Sequence, residues 1–197
     1  MPEKEIRTYD VELRVEEHEG GMPKITGYPA VFDSLSEDLG GFKEKIRRGA
    51  FSETIEKDDI RALFNHDPNY VLGRSTNGSL KLKETDKGLH FETEPPDTQW
   101  ARDLITSIKR GDVNQGSFAF EVRAPEDEHW EKSEGGLIRE LRKVRLRDVS
   151  VVTYPAYQAT QINARTLEEK QKELDGDGAK PSTLDLRLKE LQLREKE

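Results

Sequence analysis

The sequence predicts a mainly-β domain with helices packed around it, its strands curled into a closed or nearly closed β-barrel. Three observations carry the prediction. Residues 6–153 hold a succession of short runs rich in β-branched and aromatic residues, bounded by Gly, Pro, Asn and Asp. Only Gln99 to Lys109 carries a sustained apolar pattern at helical spacing, through Trp100, Leu104, Ile105 and Ile108. From Arg165 the composition turns charged and linker-like. The expected organisation is one domain over residues 1–164 and a flexible, leucine-patterned tail over 165–197.

The elements follow in order. Ile6 to Val15 and Lys24 to Phe32 read as two strands of one antiparallel hairpin, with Pro29 marking a bulge or an edge. Asp33 to Gly49 reads as a long irregular connection, and Gly49 to Ile55 as the start of a short helix. Ile60 to Phe64 is a buried strand that runs into the turn Asn65-His66-Asp67-Pro68, and extended structure resumes at Tyr70. Ser79 to Glu84 and Gly88 to Glu94 form a hairpin around Thr85-Asp86-Lys87-Gly88. Asp97 or Thr98 can cap the helix, and Arg110-Gly111-Asp112 ends it.

Gln115 to Val122 alternates, placing Phe118, Phe120 and Val122 on one face and Ser117, Ala119 and Glu121 on the other. Glu126 to Gly136 reads as a polar hairpin tip and Gly136 to Leu146 as a strand. Asp148 to Thr153 is the most β-prone run of the chain. The charged stretch 168–173, a linker to Ser182 and leucines at 184, 186, 188, 191 and 193 complete the chain.

Composition narrows the chemistry. Among 197 residues, 32% are apolar and 37% charged, enough for one core but not for burying the whole chain. A net charge of -8 with no long basic patch argues against nucleic acid as the main partner. The absence of cysteine excludes disulfides, thiolate catalysis and cysteine-based zinc sites. No run approaches the roughly 18 apolar residues of a membrane span, and the charged N-terminus does not resemble a signal peptide, so the cytoplasm is the expected compartment.

Few residues remain as candidates for chemistry. His18 and His129 lie in acidic loop-like stretches and His90 on the outer face of a strand, so all three are expected to be solvated. His66 differs: it ends an apolar strand and opens a tight turn, where a rigid scaffold presents a side chain. No HExxH motif and no phosphate-binding glycine loop occurs, and no cofactor or metal is expected. What survives is serine, histidine and a buried acid. Ser117 sits on a packed strand, where a nucleophile can be held beside its base. Asp148 heads an apolar strand, where a carboxylate needs a partner. An imidazole is one candidate for that partner; Arg145 or Arg147 is an equal one.

The ordered blocks of the chain resemble the prohead (maturation) protease family of tailed bacteriophages. They are Ile25 to Phe32, Gly40-Gly41-Phe42 through Gly49-Ala50-Phe51, Ala62 to Asp67 with Leu72-Gly73-Arg74, and Gly88 to Phe91. Asp97-Thr98 through Arg110-Gly111-Asp112, Gln115 to Phe120, and Asp148 to Val152 through Pro155-Ala156-Tyr157 follow. Each block is weak alone, but the order of all seven is specific. The resemblance covers roughly residues 6–163.

It implies the herpesvirus assemblin-type fold and a serine endopeptidase that works inside the immature capsid in the host cytoplasm. Such an enzyme cleaves scaffold or the scaffolding segment of the major capsid protein, processes itself and self-associates. Membrane and nucleic acid are not among the implied partners. His66 matches the family's catalytic histidine, Ser117 its nucleophile and Asp148 its acidic third position, where Glu is common. Gly116 and Ala119 stand where the family more often has Met and Gly. A non-catalytic capsid assembly or scaffold-binding protein is the alternative reading.

Overall fold

Strand alternation on both sides of Phe118 and Val149 generates the centre of the molecule, because each strand turns one row of large apolar side chains inward. The structure is a computed structural model, and it describes residues 4–10, 13–17, 20–154 and 164–175. In chain order the elements begin β1 (Glu5–Asp10), β2 (Arg14–Glu16), β3 (Lys24–Val31), β4 (Phe42–Ile46), α1 (Ser52–Lys57), β5 (Arg61–Phe64), β6 (Asp67–Arg74), β7 (Leu80–Glu84) and β8 (Gly88–Thr93). They continue α2 (Gln99–Arg110), β9 (Gln115–Glu121), β10 (Glu128–Ser133), β11 (Gly136–Leu141), β12 (Arg145–Val152) and α3 (Ala164–Asp175).

The mainly-β expectation holds. Among the described residues the ladders form three sheets, ordered β1-β9-β12-β5-β6, β10-β11-β4 and β2-β3-β8-β7, and none closes on itself. The core lies under the first sheet. Phe118 and Phe120 have no exposed surface and stack at 5.1 Å between ring centroids, while Phe51 meets Phe118 edge-on at 5.6 Å. Val149, Val151 and Leu146 of β12 join them, and α2 adds Leu104, Ile105 and Ile108 from its apolar stripe. Gly111 ends α2 at φ +83, the left-handed conformation that lets its N–H and that of Asp112 turn back to Ile108 and Ser107. The β7–β8 hairpin forms as its pattern implies, and the β3–β8 register slips between Gly27 and Ala30, around Pro29.

Several strand expectations are corrected by the observed pairing. The run from Ile6 to Val15 is not one arm of a hairpin. Arg14–Glu16 does pair with β3, but Glu5–Asp10 pairs antiparallel with β9 in another sheet. The connection 33–49 contains β4, which pairs in parallel with β11. The polar tip 126–136 is mostly β10, and the run 136–146 is divided between β11 and β12. The charged stretch after Arg165 lies within α3, where Lys170 reaches Glu173 at 2.9 Å. The chain divides into two units, up to Gln161 and from Ile162, with α3 in the second. The leucine pattern 183–197 lies outside the described residues. None of the described helices is long and apolar enough to cross a membrane.

A buried charge network joins the first two sheets. Arg7 of β1 forks onto Glu44 of β4, with Nε 2.8 Å from Oε1 and Nη2 2.9 Å from Oε2. Arg139 of β11 reaches Glu5 at 2.6 Å, Glu44 at 3.0 Å and Glu128 at 2.6 Å. Glu44 has no exposed surface and Arg7 only 5%. Burial pushes the Glu5 carboxyl up, but Arg139 and Arg7 outweigh that and hold it below its ordinary value of 4.5.

Candidate active site

β9 is the central support of the site. Its Ser117 lies directly opposite Thr8 of β1 on one side and Ser150 of β12 on the other. Cross-strand partners share a face, so the three hydroxyls form a row. Along β12 the alternation that sends Val149 and Val151 into the core turns Asp148 and Ser150 to the same face as Ser117.

The histidine arrives by a turn. β5 and β6 pair Phe64 with Asp67, leaving Asn65 and His66 as a two-residue hairpin loop. Both have positive φ, +54° and +56°, as the primed turns that fit strand twist require. Asparagine and histidine adopt this conformation more often than most residues with a Cβ, and residues held in it concentrate at functional sites. Asn65 fastens the turn to the end of β12. Its N–H donates to the Val151 carbonyl at 2.9 Å, its Oδ1 accepts the Thr153 N–H at 2.9 Å, and its Nδ2 donates to Thr153 Oγ1 at 3.2 Å.

The turn sets the His66 ring between two partners. Nε2 lies 2.7 Å from Ser117 Oγ, and Nδ1 lies 2.5 Å from Asp148 Oδ1. A carboxylate only accepts, so the proton between His66 and Asp148 sits on Nδ1 and Nε2 is left to face the serine. Burial pushes the Asp148 carboxyl up. Its hydrogen bond to His66, the charges of His66 and Lys4, and the Ser150 hydroxyl outweigh burial and leave it below its ordinary value. Arg145 and Arg147, the alternative partners for Asp148, instead pair with Asp58 and Glu121.

Ser117 is not on an open face. It has no exposed surface, and neither has Ala119 two residues on. Its hydroxyl has two acceptors for one proton: His66 Nε2, and the Arg7 carbonyl of β1 at 2.8 Å. Thr8 Oγ1 donates to the same oxygen at 3.2 Å. Beside His66 and Asp148 runs an open groove of about 450 Å³, with Leu63 and Pro68 in its wall and Lys4, Arg61 and Arg145 among its charged residues.

The arrangement can move a proton from a hydroxyl to an imidazole whose orientation a buried carboxylate fixes. Sequence reasoning missed Ser150, Lys4 and the β1 contacts. Ser150 had a signal, since it lies two residues from Asp148 on the same strand face. Ala119 sits opposite both Ile6 and Asp148, where a small side chain suffices. Of the other histidines, His129 is exposed on β10 and His18 lies outside the described residues. His90 is half-buried rather than solvated, edge-on to Tyr28, and burial pushes its imidazole below its ordinary value. Among the described residues, no cluster of three or more acidic or histidine side chains could hold a metal ion.

Comparison with known proteins gives the fold and the family. The bacteriophage T4 capsid assembly protease, gp21, has a similar fold, with a TM-score of 0.52 and 12% identity over 78% of this chain and 99% of that one. No curated protein matches the chain. The family model of the caudovirus prohead serine protease matches residues 9–173, most of the 197. That extent of match settles the family: this chain belongs to the caudovirus prohead serine proteases.

Proposed function

We propose that the protein is a serine endopeptidase of phage head maturation, with Ser117 as nucleophile, His66 as general base and Asp148 as the residue that orients the base. The observation that carries this is the unbroken relay from Ser117 Oγ through Nε2 and Nδ1 to Asp148 Oδ1, at 2.7 and 2.5 Å. Ser117 Oγ attacks the carbonyl carbon of the scissile peptide bond as its proton passes to Nε2. The tetrahedral species collapses, breaking the C–N bond, and Nε2 gives the same proton to the departing amine. Water then enters, loses a proton to Nε2 and attacks the ester. The C–Oγ bond breaks, and Ser117 recovers its proton. Throughout, Asp148 stays ionised and stabilises the imidazolium.

The substrates on this reading are scaffold or the scaffolding segment of the major capsid protein, and the chain itself. The enzyme acts as a self-associated protease inside the immature prohead, in the host cytoplasm. With it goes the assemblin-type, barrel-like reading of the fold. The test is co-expression with the phage's major capsid protein, followed by intact-mass analysis of both chains. Wild type should yield truncated capsid protein, and Ser117→Ala should leave it full length while keeping its fold. Full cleavage by Ser117→Ala, or by His66→Ala, contradicts the assignment. Co-purification with capsid protein and no cleavage by wild type in any assembly state would instead fit an assembly protein.

A further inference from the structure

Ser150 is a buried hydroxyl that the reaction above does not use. It is 1% exposed, on the face that carries Asp148 and directly across from Ser117. Its Oγ donates to Asp148 Oδ1 at 3.0 Å and lies 3.1 Å from His66 Nδ1. We propose that Ser150 is a positioning residue of this site, holding the Asp148 carboxylate and the His66 ring in the one arrangement that leaves Nε2 facing Ser117. The proposal rests on the reading of Ser117 as nucleophile and deepens it.

The geometry decides between two roles for this serine. Ser150 contacts the Nδ1 side of the ring, whose proton is committed to Asp148, while the open nitrogen faces Ser117. It is therefore not a second nucleophile. Its single proton goes to Asp148 Oδ1, which thereby receives donors from both His66 and Ser150. Lys4 also reaches this carboxylate, at Oδ2 and 3.3 Å, but the Lys4 side chain is 44% exposed, so water and salt weaken the tie. Ser150 is the buried and unscreened constraint. Without it the carboxylate can turn on its short stem toward Lys4 and away from Nδ1.

The test uses the full chain and diisopropyl fluorophosphate, which phosphorylates an activated serine. Its rate of attachment to Ser117 is followed in wild type, Ser150→Ala and Ser150→Thr, with Ser117→Ala as reference and melting temperatures to check folding. Ser150→Ala should react roughly tenfold to a hundredfold more slowly. Ser150→Thr, which keeps the hydroxyl, should restore the rate. The His66 Nδ1–H resonance should be present in wild type and Ser150→Thr and broadened by exchange in Ser150→Ala. A wild-type rate and Nδ1–H line in Ser150→Ala would overturn the proposal. So would equal loss in both variants, since the hydroxyl kept in Ser150→Thr would then not carry the effect. Absence of label in wild type, or label retained at full rate in Ser117→Ala, would instead sink the nucleophile assignment, and the Nδ1–H line alone would then decide whether Ser150 orders the ring.

Discussion

His66 stands in left-handed backbone conformation, which costs roughly 1–2 kcal/mol for a residue with a Cβ. The fold tolerates this because Asn65 locks the turn to β12 through three hydrogen bonds. Two variants separate strain from clamp. Asn65→Ala loses the amide and adds left-handed strain, so it should lower stability by about 2–3 kcal/mol. Asn65→Gly keeps the backbone freedom and loses only the side-chain bonds, so it should melt closer to wild type yet still cleave more slowly, because His66 is less firmly held. Thermal unfolding and cleavage rate, measured on both, check this. Asp148→Asn should keep the fold and lower turnover by roughly 10³–10⁴-fold, since an amide no longer fixes the proton on Nδ1. A steady-state rate within tenfold of wild type would argue that Ser150 orients the ring without it.

At the scale of elements, what the sequence could and could not reveal follows from where each partner sits. Phe118 and Phe120 against Ser117 and Ala119 is local alternation, legible from seven residues of β9, and it correctly separates core face from site face. That the site face is also covered was not legible, because the contact of Ser117 with the Arg7 carbonyl spans 110 positions. β4 hid for a similar reason. Phe-Lys-Glu-Lys-Ile looks like a solvated loop until Arg139, 95 positions away, is placed on Glu44.

That network makes its own predictions. Glu44→Ala removes the carboxylate that two buried guanidinium groups share, leaving them to Glu5 and Glu128, and should cost about 3 kcal/mol, read from denaturant midpoints. Glu5 has its folded pKa depressed below 4.5, so its contribution is present at neutral pH and is lost as pH falls through that depressed value. Acid titration of the wild type should therefore loosen β1, read as faster amide exchange in Glu5–Asp10 ahead of the β9 core. Gly88 marks another tight point, since a Cβ there would lie 2.1 Å from the Ala30 carbonyl oxygen. Gly88→Ala should lower stability by roughly 1–3 kcal/mol by forcing β3 and β8 apart.

For the whole molecule, the ordered sequence blocks named the family before any contact was known, and the match over residues 9–173 bears that out. The three side chains at its centre come from a turn and two strands, 51 positions apart between His66 and Ser117 and 82 between His66 and Asp148, and the fold brings them within hydrogen-bonding distance. Barrel closure depends on which edges pair, and no local pattern states that; among the described residues no sheet closes on itself. The central claim is that Ser117 is activated by His66. Its most direct measurement is peptide mass mapping of the covalent adduct left by an organophosphorus reagent. The account predicts the adduct on the peptide containing Ser117 in wild type and its loss in His66→Ala. An adduct on Ser150 or any other serine, or undiminished labelling of Ser117 in His66→Ala, would contradict it.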